Sequence, residues 1–253
     1  MKKAYNSKRK SLFFLGLLCI CLIFLTISCG LDVLDAVLDD PFTTEFVPNE
    51  SSAYDSRTFT FYVKELDNAN VFGKGYVYYK IYNNSSKRTS EKNALDNMAA
   101  DSSRKLNAYT TLINSYSYKP LRYVTALGGQ PEEFTMDNES QTVSIRLTNY
   151  STDAYAARIM IDNQTVGIPL RYNGKTFDFG RTGDYDEKPT KVSSAEESSS
   201  DVKGFVDDSN SNNTFYVVLY GIFYMPTETF DKTIYSPIHY LGEIKIDATS
   251  EIN

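Results

Sequence analysis

Few side chains in this 253-residue sequence are equipped for bond-making chemistry. It holds three cysteines, Cys19, Cys21 and Cys29, a single histidine, His239, and no tryptophan. Nucleophilic catalysis needs a serine or cysteine beside an activating base. With no cysteine after residue 29, His239 is the one side chain that could serve as an imidazole base, and its place in a strand pattern reads as a surface or packing role. Zinc sites draw on several cysteine and histidine ligands, so the same shortage excludes their common forms. Carboxylates are plentiful, at 32 Asp and Glu. A glycosidase pair must face across a cleft, however, and no spacing singles out two of them. The expectation is no catalytic residue, no cofactor and no metal.

Two local motifs come close to ligand sites and fail on their own rules. Asp208, Asn210 and Asn212 alternate as calcium-loop ligands do, but Asn213 stands where that loop needs glycine and Leu219 where it needs glutamate. The "GKT" at Gly174 invites a phosphate loop, which requires a glycine five residues earlier; that position is Pro169.

Tyrosine is the conspicuous excess, with 20 in the chain. In "GYVYYKIYN" Tyr76, Tyr78 and Tyr82 fall on one face of a strand. Tyrosine offers rigid contact area with a polar tip and is enriched at binding surfaces, so this face is a candidate binding surface. It is also an ordinary strand residue. A helix elsewhere in the chain must cover some sheet face, and cover of this one is the preferred reading.

The amino-terminal residues do suggest chemistry of a different kind. Lys2, Lys3, Lys8, Arg9 and Lys10 precede a charge-free stretch whose apolar run, Leu12 to Ile27, is 16 residues long. At about 1.5 Å per residue that run reaches about 24 Å, short of a hydrocarbon core of about 30 Å. A basic start, an apolar middle and small residues at the end are the parts of an export signal. The ending "LTISCG" resembles the lipobox of bacterial lipoproteins, spirochaete ones among them. The resemblance implies cleavage after Ser28 and diacylation of the Cys29 sulfur; the alternative is an uncleaved amino-terminal anchor in which the cysteine is incidental. It departs from the usual pattern in having Thr26 three places before the cysteine, with Leu25 one place further back and Ile27 where a small residue is commoner.

The resemblance implies residues 1–28 as the signal and 29–53 as a lipidated tether, leaving 54–253 as the exported domain. That domain has no thiol and no disulfide, so it must be held by a core. Five of the 26 basic side chains and none of the 32 acidic ones lie before residue 29; the remainder carries 21 against 32, a net charge of −11. Such an acidic chain repels nucleic acid and anionic headgroups, which excludes nucleic-acid binding as a default. The expected address is the cell envelope, on the outer membrane or the periplasmic face of the inner membrane, with attachment through acyl chains such as palmitate.

The elements follow from periodicity. After Cys29, "GLDVLDAVLDD" places Leu31, Val33, Leu34, Val37 and Leu38 opposite Asp32, Asp35, Asp39 and Asp40, a short amphipathic helix ended by Pro41. Alternation marks strands in "TFTFYVKEL" (Phe59, Phe61, Val63 inward), "GYVYYKIYN" (Val77, Tyr79, Ile81) and "TVSIRLTN" (Val143, Ile145, Leu147). Asn173-Gly174 predicts a type I′ hairpin turn. "TFYVVLYGIFYM" is apolar on both faces, as a central strand would be. "YSPIHYLGEIKI" returns as a last strand with Tyr240, Ile244 and Ile246 on one face. Ser90 to Tyr116 has apolar residues three and four apart and neither Gly nor Pro, predicting one helix with Ser90 as N-cap. Residues 184–213 are almost devoid of apolar side chains and read as a long mobile loop, with Phe205 and Val206 as its candidate points of contact with the core.

"GYVYYKIYN" resembles the third strand of a fibronectin type III domain and "FYVVLYGIFY" with "TIYSPIHYLGEIKI" its last two strands, a likeness covering residues 57–83 and 214–247. The resemblance implies a mainly β, immunoglobulin-like antiparallel sandwich with one inserted amphipathic helix, adhesive or scaffolding in role. The functional expectation is a lipid-anchored envelope protein with a non-catalytic binding or structural role, its partners the membrane through Cys29 and an envelope protein or host ligand. The alternatives are an envelope carbohydrate-active enzyme with unassigned carboxylates, or an accessory subunit of an envelope assembly or transport complex.

Overall fold

The computed structural model describes residues 38–48, 57–67, 73–101, 103–126, 128–147, 156–177, 201–203, 214–226 and 233–247, all within the unit Val37–Asn253. Ser28, Cys29, most of the acidic amphipathic stretch, the Asp208–Asn213 run, Phe205 and Val206 lie outside the described residues.

Strands dominate, and they form two sheets packed as a sandwich. The first sheet begins with β1 (Phe42–Phe46), β2 (Phe59–Val63) and β8 (Gln141–Arg146), paired antiparallel in that order. It continues through β9 (Arg158–Ile161) and β10 (Gln164–Leu170) to β5 (Arg122–Val124) and β6 (Glu132–Glu133). The second sheet is built on β3 (Lys74–Tyr82) against β12 (Thr214–Pro226), in register from Lys74↔Tyr224 to Tyr82↔Tyr216. The free edge of β12 takes β14 (His239–Asp247) and then β13 (Thr233–Tyr235). That of β3 takes three short strands in succession: β7 (Thr135–Asp137), β4 (Lys119–Pro120) and β11 (Val202–Lys203), the last of them parallel.

Alternation explains the packing. Phe59, Phe61, Val63, Val143 and Ile145 of the first sheet meet Val77, Tyr79, Ile81, Val217, Leu219 and Ile244 of the second, all buried in one core. Both faces of β12 are covered, because Val218, Tyr220 and Ile222 belong to a second cluster beneath the helices.

Both lateral edges of the sandwich are closed by chain that changes sheets. On one side β4 pairs with β3 and the next strand, β5, pairs with β10 in the other sheet; the chain returns through β6 to β7. On the other side the folded body begins at Leu38, earlier than residue 54. The Leu38 N–H donates to the Tyr235 carbonyl, Phe42 packs on Phe61, and the Glu243 N–H donates to the Pro48 carbonyl. Residues 38–48 thus tie β13 and β14 to β2, and the expected tether loses its last part to the fold. Chain crossing at a sheet edge covers part of it against pairing with other chains.

The helical layer differs from the single helix expected over 90–116. Helix α1 runs Ser85–Ala100, and its N-cap is Asn84, whose side chain accepts from the Lys87 N–H at 2.9 Å; Ser90 lies inside the helix. The break comes at Asp101, whose carboxylate takes the Ser103 N–H, the Ser103 hydroxyl and Arg104 Nε. A side chain that binds the nearby backbone offers the chain an alternative to helix, without Gly or Pro. Helix α2 (Lys105–Thr110) follows and widens into a π-helical turn, Thr111–Ser115. It ends on Ser117 in the left-handed region (φ 60°), with the Tyr118 N–H donating to the Leu112 carbonyl.

Three further expectations change. The turn at Asn173-Gly174 is not type I′: only Gly174 has positive φ, the Gly174 N–H donates to the Arg171 carbonyl, and the Arg171 N–H donates to that of Lys175. The I′-type geometry occurs instead at Asp162-Asn163, both with positive φ, where β9 turns into β10. Tyr240 does not share a face with Ile244 and Ile246. The register slips between Leu219 and Tyr220, so a bulge at Leu241-Gly242 rotates the strand; Ile244 and Ile246 enter the inter-sheet core while Tyr240 packs with the helical cluster. Within the expected loop 184–213, Asp201 is buried and Val202–Lys203 form β11.

Candidate functional site

The outward face of the second sheet is rich in tyrosine, with Tyr76, Tyr78 and Tyr82 from β3, Tyr216, Tyr220 and Tyr224 from β12, Tyr235 from β13 and Tyr240 from β14, and α1 and α2 lie on it. The half under α1 is closed and charged. Lys80 is 1 % exposed and pairs with Glu91; its ammonium sits 4.7 Å from the Tyr82 ring centre and 5.6 Å from those of Tyr116 and Tyr118. The Tyr82 hydroxyl donates to Glu91 at 2.9 Å and lies 3.1 Å from the Tyr118 hydroxyl. Tyr220 donates to Asp96 at 3.1 Å. Arg88 stacks over Tyr216 at 4.4 Å and approaches Glu243 at 3.6 Å, while Lys92 lies 4.0 Å over Tyr240. The helix therefore docks through cations on aromatic faces and carboxylates on phenols, each stronger where water is excluded. Burial, before any neighbouring charge, holds the hydroxyls of Tyr82, Tyr118 and Tyr220 far above the ordinary phenol value, so they remain donors.

The other half opens towards solvent where β3 begins and β12 ends. Tyr76 stacks on Tyr224 at 4.5 Å and Tyr109 of α2 stacks on Tyr235 at 4.3 Å. Tyr224 and Tyr235 are 5.9 Å apart, and Tyr78 closes the group edge-on to Tyr109 at 6.3 Å. Tyr78 is buried; the other four are half-buried. Five rings thus make one aromatic surface.

Of the three tyrosines singled out from the sequence, Tyr76 and Tyr78 belong to this open cluster and Tyr82 to the closed half. Their partners Tyr109, Tyr224 and Tyr235 were missed. Tyr216, Tyr220 and Tyr224 alternate along one strand, a signal hidden because the opposite face of that strand is equally apolar. His239 is placed by structure: its Nδ1 lies 2.6 Å from Asp40 Oδ2 and its ring 6.0 Å from that of Phe42, joining β14 to the segment that closes the edge.

The most enclosed described carboxylates are Glu91, Asp201 and Glu243, and each lies against a cation, respectively Lys80, Arg171 and Arg88. Among the described residues no three His, Cys, Asp or Glu side chains converge as on a metal ion, and no helix is long and apolar enough to cross a membrane. No family model, curated protein or solved structure matches the chain.

Proposed function

We propose that the protein is a lipid-anchored component of a bacterial cell envelope with a non-catalytic binding or structural role, held at the membrane by acyl chains on Cys29. The observation that carries this reading is the position of Cys29 relative to the fold. The cysteine ends an export-type segment, and Leu38, nine residues on, is already buried and bonded to β13. At about 3.3–3.6 Å per residue the intervening chain spans at most about 30–32 Å, so a lipid on Cys29 would hold the sandwich close to the bilayer. Among the described residues, the engagement of the most enclosed carboxylates with cations supports a binding role over acid–base catalysis.

The body is read as an immunoglobulin-like sandwich of the fibronectin type III kind. What supports this is strand order: β1-β2-β8 against β3-β12-β14 reproduces the A-B-E and C-F-G sets of such domains, with the helices and β9–β10 as insertions.

Metabolic labelling with palmitate tests the anchor. Wild type is expected to take up label and Cys29→Ala to lose it and leave the membrane fraction; an unlabelled wild type would defeat the reading. Protease shaving of intact cells then assigns the leaflet.

A further inference from the structure

Resting on the lipid anchor, we infer that the open tyrosine cluster of Tyr76, Tyr109, Tyr224 and Tyr235 is a membrane-contact surface that lies in the zwitterionic headgroup layer and sets the orientation of the sandwich.

Three observations converge on this end of the molecule. The first is where the tether joins. The Leu38 N–H bonds to the carbonyl of Tyr235, itself a member of the cluster. From Lys74 at this end to Tyr82 at the other, β3 runs eight residue steps, or about 26 Å at about 3.3 Å per residue. A tether of about 30 Å that ran the length of β3 would have almost nothing left to clear the bilayer. The cluster end is therefore the one presented to the lipid.

The second is the chemistry of the rings. Tyrosine combines an apolar body with a hydroxyl, and such residues concentrate where hydrocarbon gives way to headgroups. A sugar platform needs an open ring face, but here Tyr76 is stacked on Tyr224 and Tyr109 on Tyr235, each ring giving a face to its neighbour. What the group offers is a half-buried aromatic patch, suited to a layer of mixed polarity.

The third is charge. Lys74 at this end is paired with Asp137, and exposed Glu133 stands two residues before β7, whose Thr135 pairs with Tyr76. Asp39 is exposed beside Leu38. A patch flanked by these acids meets zwitterionic headgroups more readily than anionic ones.

The absence of native tryptophan allows a direct test. Two reporters are made in the full-length lipidated protein: Thr233→Trp, at an exposed position of β13 beside the cluster, and Ser86→Trp, exposed at the start of α1 at the far end. Each is reconstituted in phosphatidylcholine vesicles brominated near the headgroup end of the chains. The expected result is loss and blue shift of indole emission in the Thr233→Trp protein, none in the Ser86→Trp protein, and no gain on adding phosphatidylglycerol. Tyr235→Ser in the Thr233→Trp background is expected to reduce the quenching. Flotation separates the two readings: protein that floats with the vesicles but shows equal quenching in both variants, or stronger quenching in Ser86→Trp, overturns the contact surface and leaves the anchor standing. Protein that does not float overturns both.

Discussion

Arg171 and Asp201, thirty positions apart in the chain, form a buried two-bonded ion pair, Nε to Oδ2 at 2.9 Å and Nη2 to Oδ1 at 2.7 Å. The Tyr79 hydroxyl donates to the same carboxylate at 2.7 Å and accepts the Tyr172 N–H at 2.6 Å. The Ile81 N–H donates to the Asp201 carbonyl. The chain between these two residues thus leaves from and returns to one fixed point on β3.

Breaking this pair by Arg171→Met should cost about 3–5 kcal/mol, since a carboxylate is left buried beside a tyrosine. Arg171→Met with Asp201→Leu should cost less than the single change. Urea unfolding of both variants and of Asp201→Leu alone measures the coupling, and a double variant whose loss equals the sum of the two single losses would mean that the pair carries none.

Alkaline pH should unfold the domain through its tyrosines. Tyr78, Tyr82, Tyr118, Tyr220 and Tyr240 have hydroxyls raised above the ordinary value, with burial the first cause. A group whose folded value is raised above its unfolded one, about 10 here, contributes stability that is whole below that pH and is lost as pH rises past it. Absorbance at the phenolate band should show exposed tyrosines titrating first, near pH 10, and the buried ones together with loss of circular dichroism at higher pH. Smooth titration of all with the fold intact would contradict the packing of α1 on the sheet.

Ser117 ends α2 in left-handed backbone at φ 60°. An L side chain there costs about 1–2 kcal/mol, partly offset on substitution by the greater unfolded freedom of glycine. Ser117→Gly should therefore stabilise by about 0.5–1 kcal/mol, and Ser117→Val should destabilise. Denaturation midpoints give the sign.

Gly242 has φ +130°, and a Cβ there would lie 2.7 Å from Pro48 Cδ and 3.0 Å from the Pro48 carbonyl oxygen. Gly242→Ala should lower the melting temperature, with about 1–3 kcal/mol from the backbone alone. Adding Pro48→Ala should recover part of this, because ring contact is relieved while φ is not.

The sandwich was legible wherever one face of a strand is apolar and the other is not, as in Phe59-Phe61-Val63 and Val143-Ile145-Leu147. It was illegible where a single residue reset the phase. The bulge at Leu241-Gly242 turned Tyr240 away from Ile244, and nothing in "HYLGEIKI" distinguishes a bulge glycine from an ordinary one. Asp101 divided a helix whose apolar spacing ran on past it, since an acid that caps its own successors looks like any surface acid. Asn84 and Ser90 are both good caps and the residues between them, Ser85 to Thr89, are polar, so the sequence does not single out Asn84. Asn-Gly is the stronger hairpin signal, yet Asp162-Asn163 supplies that backbone. β1 was missed because "FTTEF" is short, carries a bulge and faces a core assembled from chain far away. The tyrosine cluster joins β3, α2 and the β12–β13 pair, which are distant in sequence, so only Tyr76 and Tyr78 share a legible pattern.

The closure of the sandwich edge by residues 38–48 acquires a mechanical meaning in a body hung from Cys29. Tension arriving through the tether would meet the Leu38–Tyr235 bond first and then the β1–β2 ladder from Phe42↔Val63 to Phe46↔Thr60. Pulled along its own axis, that strand resists in shear, its rungs loaded together instead of one after another. Under the proposed anchor, the residues that complete the fold are thus also the ones that carry any load passed through the tether.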